Sequence, residues 1–207
     1  NLSQDHLDYH RNLKDYLNAK LYLFKYLVKK KGNVITDNTI PEFNKIKKIS
    51  LKKKLKLYPF NGKKNNFYLQ SHFFNGDRQV IKIKYGNIIQ NIDVNLIGKI
   101  QLKNLFMAII AANKSSINLN KIFKVLPKIK PVEGRFEKIG KLKNQSRVIL
   151  DYAHTPDALK TCLANLKQQF PDKKIILLFG CGGNRDKDKR AKMGKIADNF
   201  SDKIYLT

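Results

Sequence analysis

LDYAHTPDALKTCL (150–163) and KKIILLFGCGGNRDKDKR (173–190) decide the fold of this chain. Arg147–Asp151 reads as a short apolar strand that ends on a carboxylate and runs into a polar turn. A helix follows, with Thr155 or Asp157 available as its N-cap. Ile175–Phe179 is a fully apolar strand, and the loop after it alternates glycine with charge. Gly180, Gly182 and Gly183 have no Cβ, so their backbone N–H groups are open to an anion. Strand, helix, strand, helix and strand at 147–152, 156–169, 174–180, 187–199 and 203–207 predict a parallel βαβαβ unit. Right-handed crossovers gather its loops at one sheet edge, and Asp151 sits at a strand's C-terminal end, where open α/β sheets bind ligands. The layout is that of a protein handling a nucleotide or a carboxylate.

Upstream the pattern changes. Residues 11–31 predict a helix with Leu13, Leu17, Phe24 and Leu27 on one face and Lys20 among them. Gly32 ends it after three lysines. Asn33–Asp37 predicts a strand and 41–48 a short helix behind Pro41. From 49 to 97, alternation punctuated by Gly62, Gly76, Gly86 and Gly98 predicts several antiparallel strands. Residues 101–114 predict a buried helix and 118–126 a short one. Pro127 and Pro131 bracket a linker, KVLPKIKPVEG (124–134), which divides the chain into units at 1–130 and 131–207.

Composition bounds the rest. The 207 residues carry 42 Lys+Arg against 16 Asp+Glu, a net charge of +26. Such a charge raises a nucleic-acid partner. Its spread from Lys14 to Lys203, with abundant Asn and Ile, is instead the signature of an AT-rich genome. The aromatics Tyr58, Phe60, Phe67, Tyr68, Phe73 and Phe74 fit the buried face of alternating strands better than a stacking platform for bases. Cys162 and Cys181 have no metal or disulfide spacing; Cys162 reads as core and Cys181 as a loop thiol without a His partner. No run reaches the ~18 apolar residues of a membrane span. No P-loop G-x-x-x-x-G-K-[ST] occurs. The chain begins at Asn1 and ends on KIYLT, an unfinished strand, and so reads as an internal segment.

DYAHTPDAL (151–159), GCGG-x-RDK-x-KR (180–190) and EGRFE (133–137) resemble the Mur ligases. The MurE type, which adds the third amino acid to the UDP-N-acetylmuramoyl peptide of bacterial cell wall, matches best. DHLDYH (5–10) with YLNAKLYLF (16–24) is similar to the family's metal and carbamyl-lysine segment, and IGKIQLKNLFMAIIAA (97–112) to its G-x-F-N-x-x-N-x-x-A-A stretch. The implied fold is α/β: the C-terminal part of the Mur ligase central ATPase domain, then the first half of a Rossmann-like parallel βαβαβ C-terminal domain. The family carries its P-loop upstream of DHLDYH, so the segment alone is expected to be inactive.

The resemblance also implies a site. Tyr16–Lys20 reproduces the Y-x-x-A-K motif whose lysine the family carbamylates. A desolvated lysine favours the neutral amine that reacts with carbon dioxide, and the product is a long carboxylate able to bind Mg2+. The plain alternative is a lysine that snorkels its ammonium to water. His6 is implied as the second Mg2+ ligand and catalytic partner of Lys20, with Asp5 behind it; the roles of Asp8 and His10 stay open. Asn104 is implied near adenine, its alternative being a helix N-cap. The family's other asparagine is Gln101 here. Arg135 is implied on ATP phosphate, which a guanidinium fork suits, and Asp151 on the ribose. His154 is implied to face nucleotide or substrate, and Arg185 to bind a carboxylate of the incoming amino acid. Asn184 stands where the family usually has Asp, and Asp188 where it has Gly.

The activity this implies is an ATP-dependent amide ligation in the cytoplasm. ATP phosphorylates the D-glutamate carboxylate of UDP-N-acetylmuramoyl-L-Ala-D-Glu, and the amine of a diamino acid attacks the acyl phosphate. Diaminopimelate is the expected amine and lysine the alternative; the family's selecting D-N-P-R motif does not occur within the 207 residues. MurF, folylpolyglutamate synthase and cyanophycin synthetase share pieces of the pattern.

Overall fold

The computed structural model describes residues 2, 9–60, 62, 65, 67–181 and 188–207. The first unit opens with helix α1 (Leu13–Tyr22), capped by Asn12, whose side chain accepts from the Asp15 N–H at 2.9 Å. α1 passes into a π-helical turn at Leu23–Leu27 and stops there, short of the single helix expected over 11–31. The buried stripe is Leu17 and Leu21, continued by partly buried Phe24; Leu13 and Leu27 are exposed. Strands β1 (Asn33–Thr36) and β2 (Lys56–Pro59) pair in parallel across helix α2 (Phe43–Lys52). β2 therefore does not join the antiparallel run in which alternation alone had put it. A helix between two strands gives the chain length enough to return in the same direction.

The run itself is a meander of β3 (Phe67–Asn75), β4 (Arg78–Tyr85) and β5 (Ile88–Val94), antiparallel throughout. Two-residue turns at 76–77 and 86–87 join the strands, each with a glycine at positive φ, as tight hairpins require. Every second residue from Gln79 to Ile83 is buried. That face packs on helices α3 (Lys99–Lys114) and α4 (Leu119–Val125), where Ile81, Ile83 and Val94 meet Leu102, Phe106, Ile110 and Phe123. Phe67 and Phe106 thus lie in a packed core. A short 3-10 turn at Leu126–Lys128 follows α4, with Leu126 buried.

The second unit starts with a strand that periodicity did not reveal. β6 (Glu137–Lys141) folds back antiparallel on β7 (Arg147–Leu150). EKIGK has no apolar alternation, and the partner strand makes it extended. Helix α5 (Pro156–Gln169), strand β8 (Ile176–Phe179), helix α6 (Asp188–Phe200) and strand β9 (Lys203–Leu206) follow in the expected order. β8 and β9 pair in parallel, while the hydrogen-bonded partner of β7 among the described residues is β6. Leu159, Leu163 and Met193 pack α5 and α6 onto Leu177 and Phe179 of β8. No described helix is long and apolar enough to cross a membrane.

Candidate active site

Asp151 leaves the end of β7, and each of its oxygens accepts a backbone N–H: Oδ2 from Phe136 at 3.0 Å and Oδ1 from Ala153 at 2.9 Å. The first bond holds a strained residue. Phe136 is buried with φ +47°, a region that bulky side chains avoid. Glu137 Oε2 accepts from Gly134 N at 2.7 Å and steadies the same turn. Arg135 between them is therefore presented by a fixed backbone. Its guanidinium lies over the Tyr152 ring, 4.9 Å from the centroid.

His154 continues the row. Its ring stands edge-on to Tyr152 at 5.0 Å, and its Nδ1 lies 3.0 Å from the Tyr152 carbonyl oxygen. Lys189, at the start of α6, donates to the His154 carbonyl at 3.3 Å. The segment after the glycine loop thus touches the loop after β7. Thr155 caps α5, accepting from Ala158 N at 3.3 Å, which decides between the two N-cap candidates.

From the first unit, Gln101 Nε2 donates to the Arg135 carbonyl at 3.1 Å, and Asn104 Nδ2 approaches Gln101 Oε1 at 3.5 Å. Asn104 is exposed within α3 and is not its N-cap, which is Gly98. The structure therefore brings Asn104, Arg135, Asp151 and His154 into one connected row. Tyr152 and Gln101 link its members. Sequence reading missed Tyr152, although it follows Asp151 directly within DYAHTPDAL; its ring is exposed and carries the Arg135 contact.

Lys20 stands apart from this row. It is exposed beside the buried stripe, not on it, with its ammonium 4.8 Å from the centre of the Tyr16 ring. His10 stacks on the other partner of that contact, 4.9 Å from Tyr16 and inclined by 20°. The two upstream motifs thus meet through His10, Tyr16 and Lys20. The desolvation expected to free the lysine amine is not what this position provides, although an exposed amine is open to carbon dioxide. His6 and Arg185, with Asp5, Asp8, Gly182 and Gly183, lie outside the described residues. Among the described residues no cluster of three His, Cys, Asp or Glu could hold a metal. A Mg2+ here would draw its oxygens mainly from phosphate, water and a carbamate, which suits an ion that keeps much of its hydration.

Cys162 is buried beside Phe136 and Ile97. Burial, and then the nearby Asp151 charge, push its thiol up to about 12, so it is a packing residue and not a nucleophile.

Residues 1–112 match the Mur ligase middle domain, and residues 134–207 match the Mur ligase glutamate ligase domain. A UDP-N-acetylmuramoyl-L-alanyl-D-glutamate–2,6-diaminopimelate ligase of Rickettsia typhi is 37% identical over 206 residues, covering 99% of this chain and 41% of the relative. The chain thus spans about two fifths of that relative's length. A solved structure of a ligase of the same name superposes with a TM-score of 0.65 at 26% identity, covering 99% of this chain and 42% of that one. MurF from Acinetobacter baumannii, at 16% identity, shares the fold with a TM-score of 0.79 over 100% of this chain and 45% of its own. With a middle-domain match over more than half its length and a glutamate ligase domain behind it, the chain belongs to the Mur ligase family.

Proposed function

We propose that this chain is the ATP-handling part of an enzyme that joins meso-diaminopimelate to UDP-N-acetylmuramoyl-L-Ala-D-Glu for bacterial peptidoglycan, and hence for cell shape and division. The observation that carries the reading is the row from Asn104 through Gln101 to Arg135, Tyr152, Asp151 and His154, built from both units. The diaminopimelate choice is supported by the name of the Rickettsia relative. MurF shares only the fold at 16% identity, so it does not draw the substrate assignment toward itself. The boundary between the units falls at 130/131, inside the stretch 113–133 that neither family domain matches. The reaction belongs in the cytoplasm, where ATP is.

In this reading Arg135 holds ATP phosphate with two parallel N–H donors. Tyr152 keeps the guanidinium from collapsing onto other anions. Asp151 fixes the Arg135 backbone through Phe136 and retains lone pairs for the ribose hydroxyls. Asn104 lies toward the adenine, and His154 with Arg185 faces the incoming substrate. Lys20, as its carbamate, and His6 would hold Mg2+, which when bound screens phosphate charge. The units together exclude water, which would otherwise hydrolyse an acyl phosphate.

The test uses the full-length open reading frame with magnesium and bicarbonate. Phosphate release from ATP should require UDP-N-acetylmuramoyl-L-Ala-D-Glu and meso-diaminopimelate together. Release with L-lysine instead would reassign the amine. No release with either would overturn the ligase reading.

A further inference from the structure

Helix α3, which carries Gln101 and Asn104, begins without a cap of its own. Its N-cap is Gly98, at φ +81°, and glycine has no side-chain oxygen for the open N–H groups of a first turn. The acceptors come from α5 in the other unit. Gln169 Oε1 accepts from Gly98 N at 2.8 Å, and Asn165 Oδ1 accepts from Ile100 N at 3.1 Å. Asn165 and Gln169 are four residues apart, so one helix face presents both amides. Gln169 Nε2 also donates to the Gly76 carbonyl in the β3–β4 turn at 3.0 Å.

The contact is built from below as well. Fully buried Gln79 donates through Nε2 to the Leu96 and Gly98 carbonyls at 3.0 and 3.1 Å. Gln169 is only 5% exposed. Ile97, Phe136 and Cys162, with Ile100 and Leu166, seal the junction with apolar packing. A Cβ on Gly98 would lie 3.1 Å from the Asn165 side chain, so glycine also permits the close approach.

We propose that Asn165 and Gln169 form a docking latch that caps α3 from the second unit and so sets how Arg135 and Asp151 face Asn104. Both are positioning residues. Neither touches the nucleotide row; they act by finishing the helix that bears one side of it. The inference rests on the ATP-site reading for its functional consequence, and on the hydrogen bonds alone for its structural one.

The experiment uses the full-length protein with Asn165→Ala, Gln169→Ala and Asn165→Asp. Losing one of these two acceptors should speed amide hydrogen exchange across residues 98–101 roughly tenfold, with the interior of α3 unchanged. KM for ATP should rise by a similar factor while kcat stays within about twofold. Asn165→Asp keeps the acceptor and adds a charge favoured at a helix N-terminus, so it should restore both readouts. Unchanged exchange at 98–101 in Asn165→Ala and Gln169→Ala would overturn the latch, as would an aspartate variant behaving like alanine. Hydrogen exchange needs no turnover. If the wild type releases no phosphate, the ligase reading fails while the exchange data still decide the latch.

Discussion

Arg135 is exposed, and its guanidinium lies over the Tyr152 ring at 4.9 Å. An exposed cation–π contact is worth about 0.5–1 kcal/mol, or roughly two- to fivefold in binding. Tyr152→Leu should therefore raise KM for ATP by about that factor, and Tyr152→Phe should leave it unchanged. An equal effect of both variants would show that the hydroxyl matters and the ring does not. Arg135, Asp151 and His154 were singled out through the motifs EGRFE and DYAHTPDAL, and the structure brings the three side chains to one place. Gln101 was not legible, since its value comes from a carbonyl 34 positions away. The helix face of Lys20 was misplaced for a geometric reason. The stripe runs Leu17, Leu21, Phe24, and a lysine one residue before Leu21 falls beside it.

Among the elements, α5 is the case in which sequence and structure coincide residue for residue, 156–169 in both. A capping threonine, a proline at the first helical position and a regular apolar face all agree there. The π-turn after α1 and the strand β6 escaped because each depends on its neighbours and on no local pattern of its own. The link between β1 and α3 is likewise non-local. Lys103 donates to Asp37 Oδ2 at 2.8 Å and to Thr39 Oγ1 at 2.8 Å, while Thr39 donates to Asp37 Oδ1. Burial alone would raise the Asp37 carboxyl, but the hydrogen bonds from Lys103 and Thr39 outweigh it and hold the carboxyl below its ordinary value. With the folded value below the unfolded one, the stabilisation is complete above about pH 4 and is lost as pH falls through the folded value. Asp37→Asn should lower stability at neutral pH by about 1–2 kcal/mol and flatten the acid limb of the unfolding curve. Denaturant titrations of both proteins from neutral to acid pH check this, and parallel acid limbs would remove Asp37 from the account.

At the scale of the whole molecule, the junction between units was beyond the reach of sequence reading. Its hydrogen bonds join positions 34 to 93 apart, separations that leave no periodic trace. The charge, by contrast, was plain from composition, and its consequence is energetic. With 42 Lys+Arg and 16 Asp+Glu, carboxylates cannot neutralise most of the cations, and several carboxylates are already engaged, as in Lys103–Asp37, Arg78–Asp93, Lys138–Asp77 and Lys167–Asp202. The ion pairs favour the fold at low salt, while repulsion among the remaining cations opposes it over longer distances. Screening acts most strongly on separated exposed charges, with a Debye length of about 10 Å at 0.1 M. The repulsion should therefore be relieved before pairs at 2.7–3.6 Å are weakened. The melting temperature should rise by a few degrees as sodium chloride goes from about 0.02 M to about 0.2 M. The same cations should bind duplex DNA without sequence preference, with an affinity that collapses over that salt range. A melting temperature that falls with salt would mean that the pairs outweigh the repulsion. DNA binding that keeps its affinity between those salt concentrations would give the basic surface a built partner, because binding by counterion release weakens steeply over that range.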